Sequence, residues 1–296
     1  MGLLDGKVAV ITGAGGGLGE THALLMAQEG ASIVVNDLGG ARDGSGGSSS
    51  MADQVVDKIK AAGGTAVADY GNVAKAEDAK AMVQRAVDEF GKIDIMIANA
   101  GILRDKSFKN MTDDMWDIVV EVHLKGTYLT CKAAYDQMLA QESGGSIVVT
   151  SSTSGLLGNF GQTNYGAAKA GIAGFARCLF QEGLKYGVRV NVLAPAAWSR
   201  LTEDIFPQGQ NMEELLSPDK VSPLVAWLGS DEAKDVTGRH FLASGNTVQL
   251  LHWQSQVVAQ KDNTEGPWSP AEIGEAVREN FDKWPKGIQP VPRPFE

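Results

Sequence analysis

The stretch Val8-Ala-Val-Ile-Thr-Gly-Ala-Gly-Gly-Gly-Leu-Gly19 joins an apolar run directly to a glycine-rich turn. Glycines at 13, 17 and 19 permit a tight turn from a strand into a helix, let the backbone approach a pyrophosphate, and let the helix pack closely on a sheet. The helix N-terminus adds unpaired N–H groups and the positive end of its dipole. The stretch therefore predicts a dinucleotide site that uses Gly13, Gly17, Leu18 and Gly19. For this motif alone, a structural turn without a ligand is the alternative.

Outward from this stretch, short apolar runs alternate with longer segments of helical periodicity. Several runs are apolar on both faces, as strands in a helix-covered parallel sheet are. The sequence thus predicts an α/β protein, with a single doubly wound Rossmann-type parallel sheet, helices on both faces and a C-terminal extension. The predicted strands span residues 7–12, 32–36, 66–69, 93–98, 146–151, 188–193 and 240–243, and the predicted helices span residues 18–29, 50–62, 75–90, 112–139, 163–186 and 219–229.

Two segments differ from this alternation. Residues 39–50 are almost all glycine, serine and small polar residues, which predicts a mobile loop after the second strand. The tail from about residue 250 carries three tryptophans, which makes it too aromatic for a disordered segment, and it predicts a helix near residues 270–284. We therefore expect a Rossmann-fold domain over residues 1–249. Residues 250–296 are expected to form an extension that packs on this domain or on a sister subunit.

An acidic residue follows the second predicted strand. Asp37 lies about 20 residues after the glycines, where a carboxylate accepts hydrogen bonds from the adenosine ribose hydroxyls. It would also repel a 2′-phosphate, so the sequence favours NAD over NADP as cofactor. Arg42 could rescue NADP binding, but it lies in the predicted loop.

Two further turns end predicted strands. Asn72 and Val73 follow the third strand, where they would cover the adenine, with Asn72 hydrogen-bonding its exocyclic edge. Asn99, Ala100 and Gly101 end the fourth strand, where a small turn would let the cofactor ribose pass. Either turn, taken alone, is equally compatible with an ordinary loop.

A second motif lies far downstream: Tyr165-Gly-Ala-Ala-Lys169, with Ser152 at the end of the fifth predicted strand. When a hydride leaves a carbinol carbon, the hydroxyl proton must leave as well, which needs a base near neutral pH. Tyrosine, with a pKa of about 10, is a poor base by itself. A lysine four residues later lies on the same helix face, where its charge favours the tyrosinate and its ammonium can hold the nicotinamide ribose. Ser152 can hydrogen-bond the substrate oxygen as charge develops.

Composition excludes several classes of protein. The 296 residues are 43% hydrophobic and carry a formal net charge of -10, which disfavours a general nucleic-acid binder. No apolar run approaches the roughly 20 residues that span a bilayer, and no secretory signal is evident. The two cysteines, Cys131 and Cys178, suit a reduced compartment. We expect a cytoplasmic enzyme with no membrane or nucleic-acid partner and no metal site.

These motifs resemble those of the short-chain dehydrogenase/reductase family, over the span from Gly6 to about Ala243. The resemblance rests on the turn at residues 12–19, on residues 99–101, and on Ser152, Tyr165 and Lys169. It narrows to the (3R)-hydroxyacyl-CoA dehydrogenase domain of peroxisomal multifunctional enzymes of type 2. The stretches that carry the narrower resemblance are residues 34–40, 100–108, 122–126, 158–162 and 199–202, and the tail residues 269–272.

The resemblance implies a freestanding, bacterial-type β-oxidation enzyme that oxidises a (3R)-3-hydroxyacyl-CoA with NAD, on fatty-acid or sterol side chains, with Tyr165 as the base. A 17β-hydroxysteroid dehydrogenase is one alternative. Another is a 3-oxoacyl-[acyl-carrier-protein] reductase, which would prefer the NADPH that Asp37 disfavours. A non-catalytic dinucleotide sensor is a third, but it would have lost Ser152, Tyr165 or Lys169, and all three are present.

The family also implies further contacts and a homodimer or homotetramer. Helices at 112–139 and 163–186 would form the subunit interface, which apolar Ile172, Phe175 and Leu179 support weakly. The cations Arg104, Lys106 and Lys109 are candidates for binding CoA phosphates, or they lie on a solvated loop. Met212, Leu215 and Leu216 would line an acyl or sterol channel, or close the core. Additional cofactor contacts are expected from the loop after the sixth strand, at Pro195, Ala197, Ser199 and Thr202.

One residue departs from the family pattern. His123 stands where the wider family usually has asparagine, which helps to anchor a water in the proton relay. His123 is therefore a candidate for a relay or for shaping its helix, and a merely packed histidine is the alternative.

Overall fold

Seven parallel strands and one antiparallel strand form a single sheet in the computed structural model, which describes residues 2–198, 211–262, 264, 266–280 and 282. The order across the sheet is third, second, first, fourth, fifth, sixth, seventh, eighth, and only the last pairing is antiparallel. The strands are β1 (Val8–Thr12), β2 (Ser32–Asn36), β3 (Thr65–Asp69), β4 (Ile95–Ala98), β5 (Gly145–Thr150), β6 (Val188–Ala196), β7 (His240–Ser244) and β8 (Thr247–Leu251).

Helices cover both faces of the sheet because alternate strand residues point to opposite layers. In β1, Ala9 and Ile11 pack with the first, second and ninth helices, whereas Val8 and Val10 pack with the third, fifth and seventh. The predicted doubly wound fold is confirmed. The helices are α1 (Gly17–Gln28), α2 (Ser50–Ala61), α3 (Ala76–Phe90), α4 (Asp113–Val120), α5 (Gly126–Gln141), α6 (Thr153–Leu157), α7 (Thr163–Gly183), α8 (Met212–Leu215), α9 (Ser222–Gly229) and α10 (Pro270–Arg278).

The strand order reverses its direction at β1. This strand pairs in parallel with β2 on one side and with β4 on the other, so the chain leaves it in two directions across the sheet. In open α/β sheets such a reversal leaves a crevice at the carboxyl ends of the two strands, and ligands bind there. The glycine-rich turn after β1 and the turn after β4 border this crevice.

Several elements differ from the sequence prediction. The antiparallel strand β8 was not predicted, because its sequence lacks the continuous apolar run of the buried strands. In the structure this strand is not buried, and Val248 and Leu250 are half-exposed. The short helix α6 was also missed. The helix predicted over residues 112–139 is divided, because a π-helical turn at Glu121–Lys125 separates α4 from α5.

The chain divides into two compact units, Met1–Leu251 and His252–Glu296. In the second unit, α10 begins at a capping box in which Ser269 and Glu272 each bond the backbone of the other. The ammonium of Lys261 lies 5.3 Å from the centre of the Trp268 ring. The predicted helix at 270–284 is described as far as Arg278, and Trp284 lies outside the described residues. The docking of the extension stays a prediction.

Among the described residues, no helix combines the length and the apolar character that crossing a membrane requires.

A buried histidine joins α1 to α9. The Nδ1 atom of His22 lies 2.8 Å from Ser222 Oγ, and the Ser222 hydroxyl donates to Thr21 Oγ1 at 3.0 Å. The other ring nitrogen of His22, Nε2, is buried without a hydrogen-bond partner in the described structure. A proton on Nε2 would therefore be an unsatisfied buried charge, and burial lowers the pKa of His22 to about 3.

We predict that His22 makes the fold sensitive to acid. Between pH 6.5 and about 3 the unfolded histidine binds a proton and the folded one does not, so stability falls as pH falls. Urea unfolding from pH 4 to 8 should show that His22→Asn reduces this slope by up to about 1.4 kcal/mol per pH unit. Above pH 7.5 the two slopes should coincide. An unchanged slope at pH 5 in the variant would contradict the assignment.

Candidate active site

An open cleft with a cavity volume of about 230 Å³ lies at the carboxyl ends of β1, β2, β3 and β4. The sequence-predicted residues that line it are Gly13, Gly17, Leu18, Asp37, Asn72, Val73, Asn99, Ala100 and Gly101. The structure thus brings together four turns that are separated by up to 88 residues in the chain.

The glycine-rich turn has a backbone that side chains would block. Gly13 and Gly17 adopt φ values of +63° and +55°, which favour glycine. Gly19 does not line the cleft; a Cβ there would lie 2.1 Å from the Gly13 carbonyl oxygen, so this glycine allows α1 to pack on the turn. The N-cap of α1 is Gly16, which has no side chain to occupy the first N–H groups. These residues fit the pyrophosphate of a dinucleotide.

Asp37 presents a carboxylate at the edge of the cleft. Its Oδ2 accepts from the Gly15 N–H at 2.8 Å and its Oδ1 accepts from the Gly39 N–H at 2.7 Å. The carboxylate is thereby held beside the glycine-rich turn and keeps lone pairs for ribose hydroxyls. A 2′-phosphate at the same place would meet a like charge, so the Asp37 carboxylate suits a ribose with free hydroxyls.

The turn after β3 is ordered by amide side chains. Asn36 donates through Nδ2 to Asp69 Oδ1 at 2.7 Å and to the Gly71 carbonyl at 2.9 Å. Asn72 accepts at Oδ1 from the Ala74 N–H at 2.9 Å. The turn is thus pre-shaped beside the cleft, where the sequence predicts the adenine.

The turn after β4 is joined to the end of β1. Asn99 donates through Nδ2 to the carbonyls of Thr12 (3.0 Å) and Gly13 (3.2 Å), while Thr12 Oγ1 accepts from the N–H groups of Asn99 and Ala100. Gly101 lines the cleft, where the sequence predicts the passage of a ribose, and it has a second constraint as well. A Cβ on Gly101 would lie 2.2 Å from Cε1 of His123.

Residues 39–49, here called the strap, are folded where the sequence predicts a mobile loop. Inside the strap, Ala41 donates to the Ser45 carbonyl at 2.8 Å and Ser48 donates to the Leu38 carbonyl at 3.0 Å. The strap also contacts the segment after β4, because Leu103 donates to the Arg42 carbonyl at 3.0 Å. The sequence could not show this contact, since the partners are about 60 residues apart. Strap residues 40, 41, 42 and 44 line the cleft.

Ser152, Tyr165 and Lys169 meet at the carboxyl end of β5. Ser152 is the N-cap of α6, and its Oγ accepts from the Ser154 N–H at 3.1 Å. Tyr165 and Lys169 lie one turn apart on α7. The Lys169 ammonium is 5.5 Å from the centre of the Tyr165 ring and donates to the Thr150 carbonyl at 2.6 Å. Hydroxyl, phenol and ammonium are therefore in one place, as proton transfer requires.

Burial controls the charges of this group. It raises the pKa of Tyr165 to about 12, opposed by a hydrogen bond with Ser152 and reinforced by the charge of Asp105. It lowers the pKa of Lys169 to about 7. In the protein alone, Tyr165 is thus a neutral phenol, and about half of the Lys169 side chains are charged at neutral pH. The effect predicted from the lysine charge is smaller here than the effect of desolvation.

His123 lies in the π-helical turn and is buried under Tyr165. The two rings meet edge to face with centroids 5.1 Å apart. His123 Nε2 lies 3.0 Å from the Ile102 N and 2.7 Å from the Ile102 carbonyl oxygen. Burial lowers the pKa of His123 to about 3, so the ring is neutral. These contacts favour the helix-shaping role among the predicted alternatives.

Two amides beside Tyr165 were not singled out from the sequence. Buried Gln162 accepts from the Ser154 hydroxyl at 2.7 Å and donates to Asp105 Oδ2 at 2.7 Å. Asn164, fully buried, accepts from the Tyr165 N–H and donates to the carbonyls of Arg104 and Met115. They tie the start of α7 to the segment after β4. The Gln-x-Asn pattern directly before Tyr165 is the feature of the sequence that could have pointed to these two amides.

The other predicted contacts are dispersed. Lys106 and Lys109 are exposed on the segment after β4, and the Lys106 N–H donates to the Gly161 carbonyl at 2.9 Å. Met212 and Leu216 are buried, whereas Leu215 is partly exposed. Pro195 lies inside β6, which extends beyond its predicted end at residue 193, and Ala197 follows the strand; neither lines the cleft. Ser199 and Thr202 lie outside the described residues.

Within the described part of the chain, no group of three or more His, Cys, Asp or Glu side chains is placed to hold a metal ion.

Comparison with known proteins gives consistent matches. The profile of the family described as short chain dehydrogenase matches residues 7–205. The chain is 49% identical to a peroxisomal hydratase-dehydrogenase-epimerase of Neurospora crassa, over 84% of this chain and 27% of that protein. It is 44% identical to mouse peroxisomal multifunctional enzyme type 2, over 94% and 36%. It thus spans about a third of the length of these relatives. It is also 40% identical to hydroxyacyl-CoA dehydrogenase ChsB1 of Mycobacterium tuberculosis, over 94% and 89%.

Solved structures agree with the sequence matches. A short chain dehydrogenase from Mycobacterium avium superposes with a TM-score of 0.85 at 42% identity, over 99% of this chain and 100% of that one. A second, from Mycobacterium paratuberculosis and bound to NAD, superposes with a TM-score of 0.74 at 26% identity, over 82% and 98%.

The contact between Gly101 and His123 gives a test of the site geometry. We predict that Gly101→Ala lowers the free energy of unfolding by about 1–3 kcal/mol, because its methyl group overlaps the His123 ring. In a His123→Ala background the same substitution should cost much less, because the ring is gone. Denaturant unfolding of the four proteins of this cycle measures the coupling. Equal costs in both backgrounds would show that the ring is not in this position.

Proposed function

Because this chain belongs to the short chain dehydrogenase family, we propose that it oxidises a (3R)-3-hydroxyacyl-CoA to the 3-oxoacyl-CoA with NAD as cofactor. The family predicted from the sequence motifs is confirmed, and the chain is an oxidoreductase of CH–OH groups. The observation that carries the proposed chemistry is the meeting of Ser152, Tyr165 and Lys169 beside a dinucleotide cleft. The substrate class is supported by the hydroxyacyl-CoA dehydrogenase of M. tuberculosis and by the likeness to mouse peroxisomal multifunctional enzyme type 2.

The reaction separates a hydride and a proton from one carbinol. When bound, NAD supplies the hydride acceptor and a positive charge near the catalytic residues. Tyr165 Oη accepts the hydroxyl proton of the substrate as the C–O bond becomes a carbonyl. Ser152 Oγ donates to the same oxygen while charge develops on it. Atoms balance, because the carbinol loses one hydride and one proton.

Tyr165 can act as a base only if its pKa falls. Its pKa of about 12 in the protein alone would leave almost no phenolate at neutral pH. A charged Lys169 and a second positive charge in the cleft both favour the phenolate. Because burial lowers the pKa of Lys169 to about 7, well below the pKa of Tyr165, the protein alone favours the neutral phenol over the phenolate. We propose that the cofactor contacts, including Lys169 on the ribose, lower the pKa of Tyr165 toward neutral pH.

Asp37 supports NAD in preference to NADP, through the free ribose hydroxyls it can bind and the 2′-phosphate it would repel. The same argument disfavours the 3-oxoacyl-[acyl-carrier-protein] reductase alternative, which would use NADPH. The neighbour of known structure that is bound to NAD is consistent with this preference.

An exposed patch beside the start of α7 combines apolar and basic groups. Phe160 lies between Ser152 and Tyr165 in the chain and is 90% exposed, and Phe108 is 75% exposed. Lys106 and Lys109 flank Phe108 and are exposed as well, and the Lys106 N–H bonds the Gly161 carbonyl next to Phe160. An acyl chain with a phosphate-bearing carrier has both properties, so this patch supports a CoA thioester. The exposed aromatic side chains leave a 17β-hydroxysteroid as the second candidate.

Three further expectations remain proposals. A homodimer or homotetramer is supported by half-buried Phe175, whose ring meets partly exposed Tyr128 edge to face at 6.3 Å. Ile172, also expected at that interface, is fully buried in the core. The extension after residue 249 is proposed to pack on the domain or on a sister subunit. We also propose a cytoplasmic location.

The proposed reaction predicts reduction of NAD by one epimer. Purified protein mixed with NAD and a medium-chain (3R)-3-hydroxyacyl-CoA should produce NADH absorbance, and the (3S) epimer should not. Tyr165→Phe should lower the rate by about 10²–10⁴-fold, because the base is lost. If the protein binds NAD but oxidises neither epimer, the acyl-CoA assignment is wrong, and hydroxysteroids become the substrates to test.

Asp37 predicts the choice of cofactor. Asp37→Asn keeps a hydrogen-bond acceptor for the turn and removes the charge, so the ratio of kcat/KM with NAD to kcat/KM with NADP should fall by about tenfold or more. Rates with each cofactor at fixed substrate measure the ratio. A ratio that stays at the wild-type value would remove Asp37 from the selection of the cofactor.

A further inference from the structure

Consecutive residues after β4 contact three parts of the site. The backbone of Ile102 reaches Nε2 of His123, which lies under the catalytic tyrosine. Leu103 and the Arg104 side chain reach the strap. The Arg104 carbonyl accepts from Asn164, at the start of the catalytic helix. Arg104 therefore connects two parts of the site. Its side chain bonds the strap, and its carbonyl group bonds the start of the catalytic helix.

The strap is held against this segment by its own backbone. Arg104 donates from Nε to the Asp43 carbonyl at 2.6 Å, and Leu103 donates to the neighbouring Arg42 carbonyl at 3.0 Å. Gly44 completes the contact, because a Cβ there would lie 3.1 Å from Cδ1 of Ile102. The strap thus approaches the segment more closely than a larger residue at position 44 would allow.

The inner side of the strap is a wall of the cofactor cleft. Residues 40, 41, 42 and 44 line the cleft together with Asp37, whose carboxylate also holds the first N–H of the strap. An adenosine ribose bound to Asp37 would therefore lie against the strap. We propose that Arg104 is a positioning residue for the cofactor: it latches the strap beside bound NAD and slows its release, and it does not serve as a ligand of CoA phosphates.

The two contacts of Arg104 with Asp43, an ion pair and a hydrogen bond, differ in strength. The guanidinium and the Asp43 carboxylate are 3.9 Å apart, with side chains 34% and 51% exposed, so water screens this ion pair strongly. The bond from Nε to the Asp43 carbonyl is short and charge-assisted, and its acceptor is backbone. Asp43→Asn keeps that acceptor, and it keeps a side-chain oxygen for Ser45. It is therefore a matched control for Arg104→Ala.

The test measures NADH release by stopped-flow fluorescence after mixing with excess NAD, so it needs no substrate. Arg104→Ala should raise the dissociation rate and the Kd about tenfold, a change of about 1.4 kcal/mol, while the association rate stays within about twofold. Asp43→Asn should remain within about twofold of wild type in all three. The NADH probe rests on the proposed function; a wild-type protein that binds no NADH would contradict that function itself.

A second variant covers the possibility that Arg104→Ala does not fold, which circular dichroism would show. Gly44→Val keeps Arg104 but presses against Ile102 and strains the strap backbone, where φ is +84°, so it should also speed NADH release. The proposal is overturned if both the Kd and the dissociation rate of a folded Arg104→Ala stay within twofold of wild type. It is also overturned if Gly44→Val releases NADH at the wild-type rate. A rise in KM for acyl-CoA alone would instead assign Arg104 to the substrate.

Discussion

The site depends on the hydrogen bonds that join the ends of β1 and β4. Thr12 Oγ1 accepts from two N–H groups of the β4 turn, and the Asn99 amide donates back to the Thr12 and Gly13 carbonyls. Because the strand order reverses here, the two turns border the same crevice. The bonds fix the glycine-rich turn relative to the segment that leads to Arg104 and His123. The cofactor cleft and the helix that carries Tyr165 and Lys169 are thereby held in a fixed position relative to each other.

A second constraint is the exclusion of water below this junction. His123, Tyr165 and Lys169 have pKa values moved to about 3, 12 and 7 by burial, each toward the neutral form. The His123 ring and the Tyr165 phenol are therefore neutral in the protein alone, and burial also disfavours the charged form of Lys169. A charged ligand that binds here would have a large effect on these groups, because they are buried. This arrangement suits a proton transfer that should occur only when the cofactor is in place.

The sequence predicted those features whose signals are local. The β1 turn, the buried strands and the spacing of Tyr165 and Lys169 each follow from a short pattern with a direct physical meaning. The fold of the strap could not be predicted, because its composition is that of a flexible loop and its partner at Arg104 is remote in the chain. The close approach of the His123 ring to Gly101 could not be predicted either, because the two residues lie in different elements. Gln162 and Asn164 were missed because amides beside Tyr165 have no periodicity.

The π-helical turn at Glu121–Lys125 acts as a one-residue insertion in an otherwise continuous helix. One residue in an α-helix corresponds to a rotation of about 100°. The extra residue therefore rotates the faces of α4 and α5 relative to each other. As a result, Met115 in α4 bonds Asn164 at the start of α7, while α5 keeps its apolar face in the core. A single-residue deletion in this turn would restore a regular helix and swing His123 away from Ile102. The position of His123 under Tyr165 therefore depends on the length of this turn as well as on the residue itself.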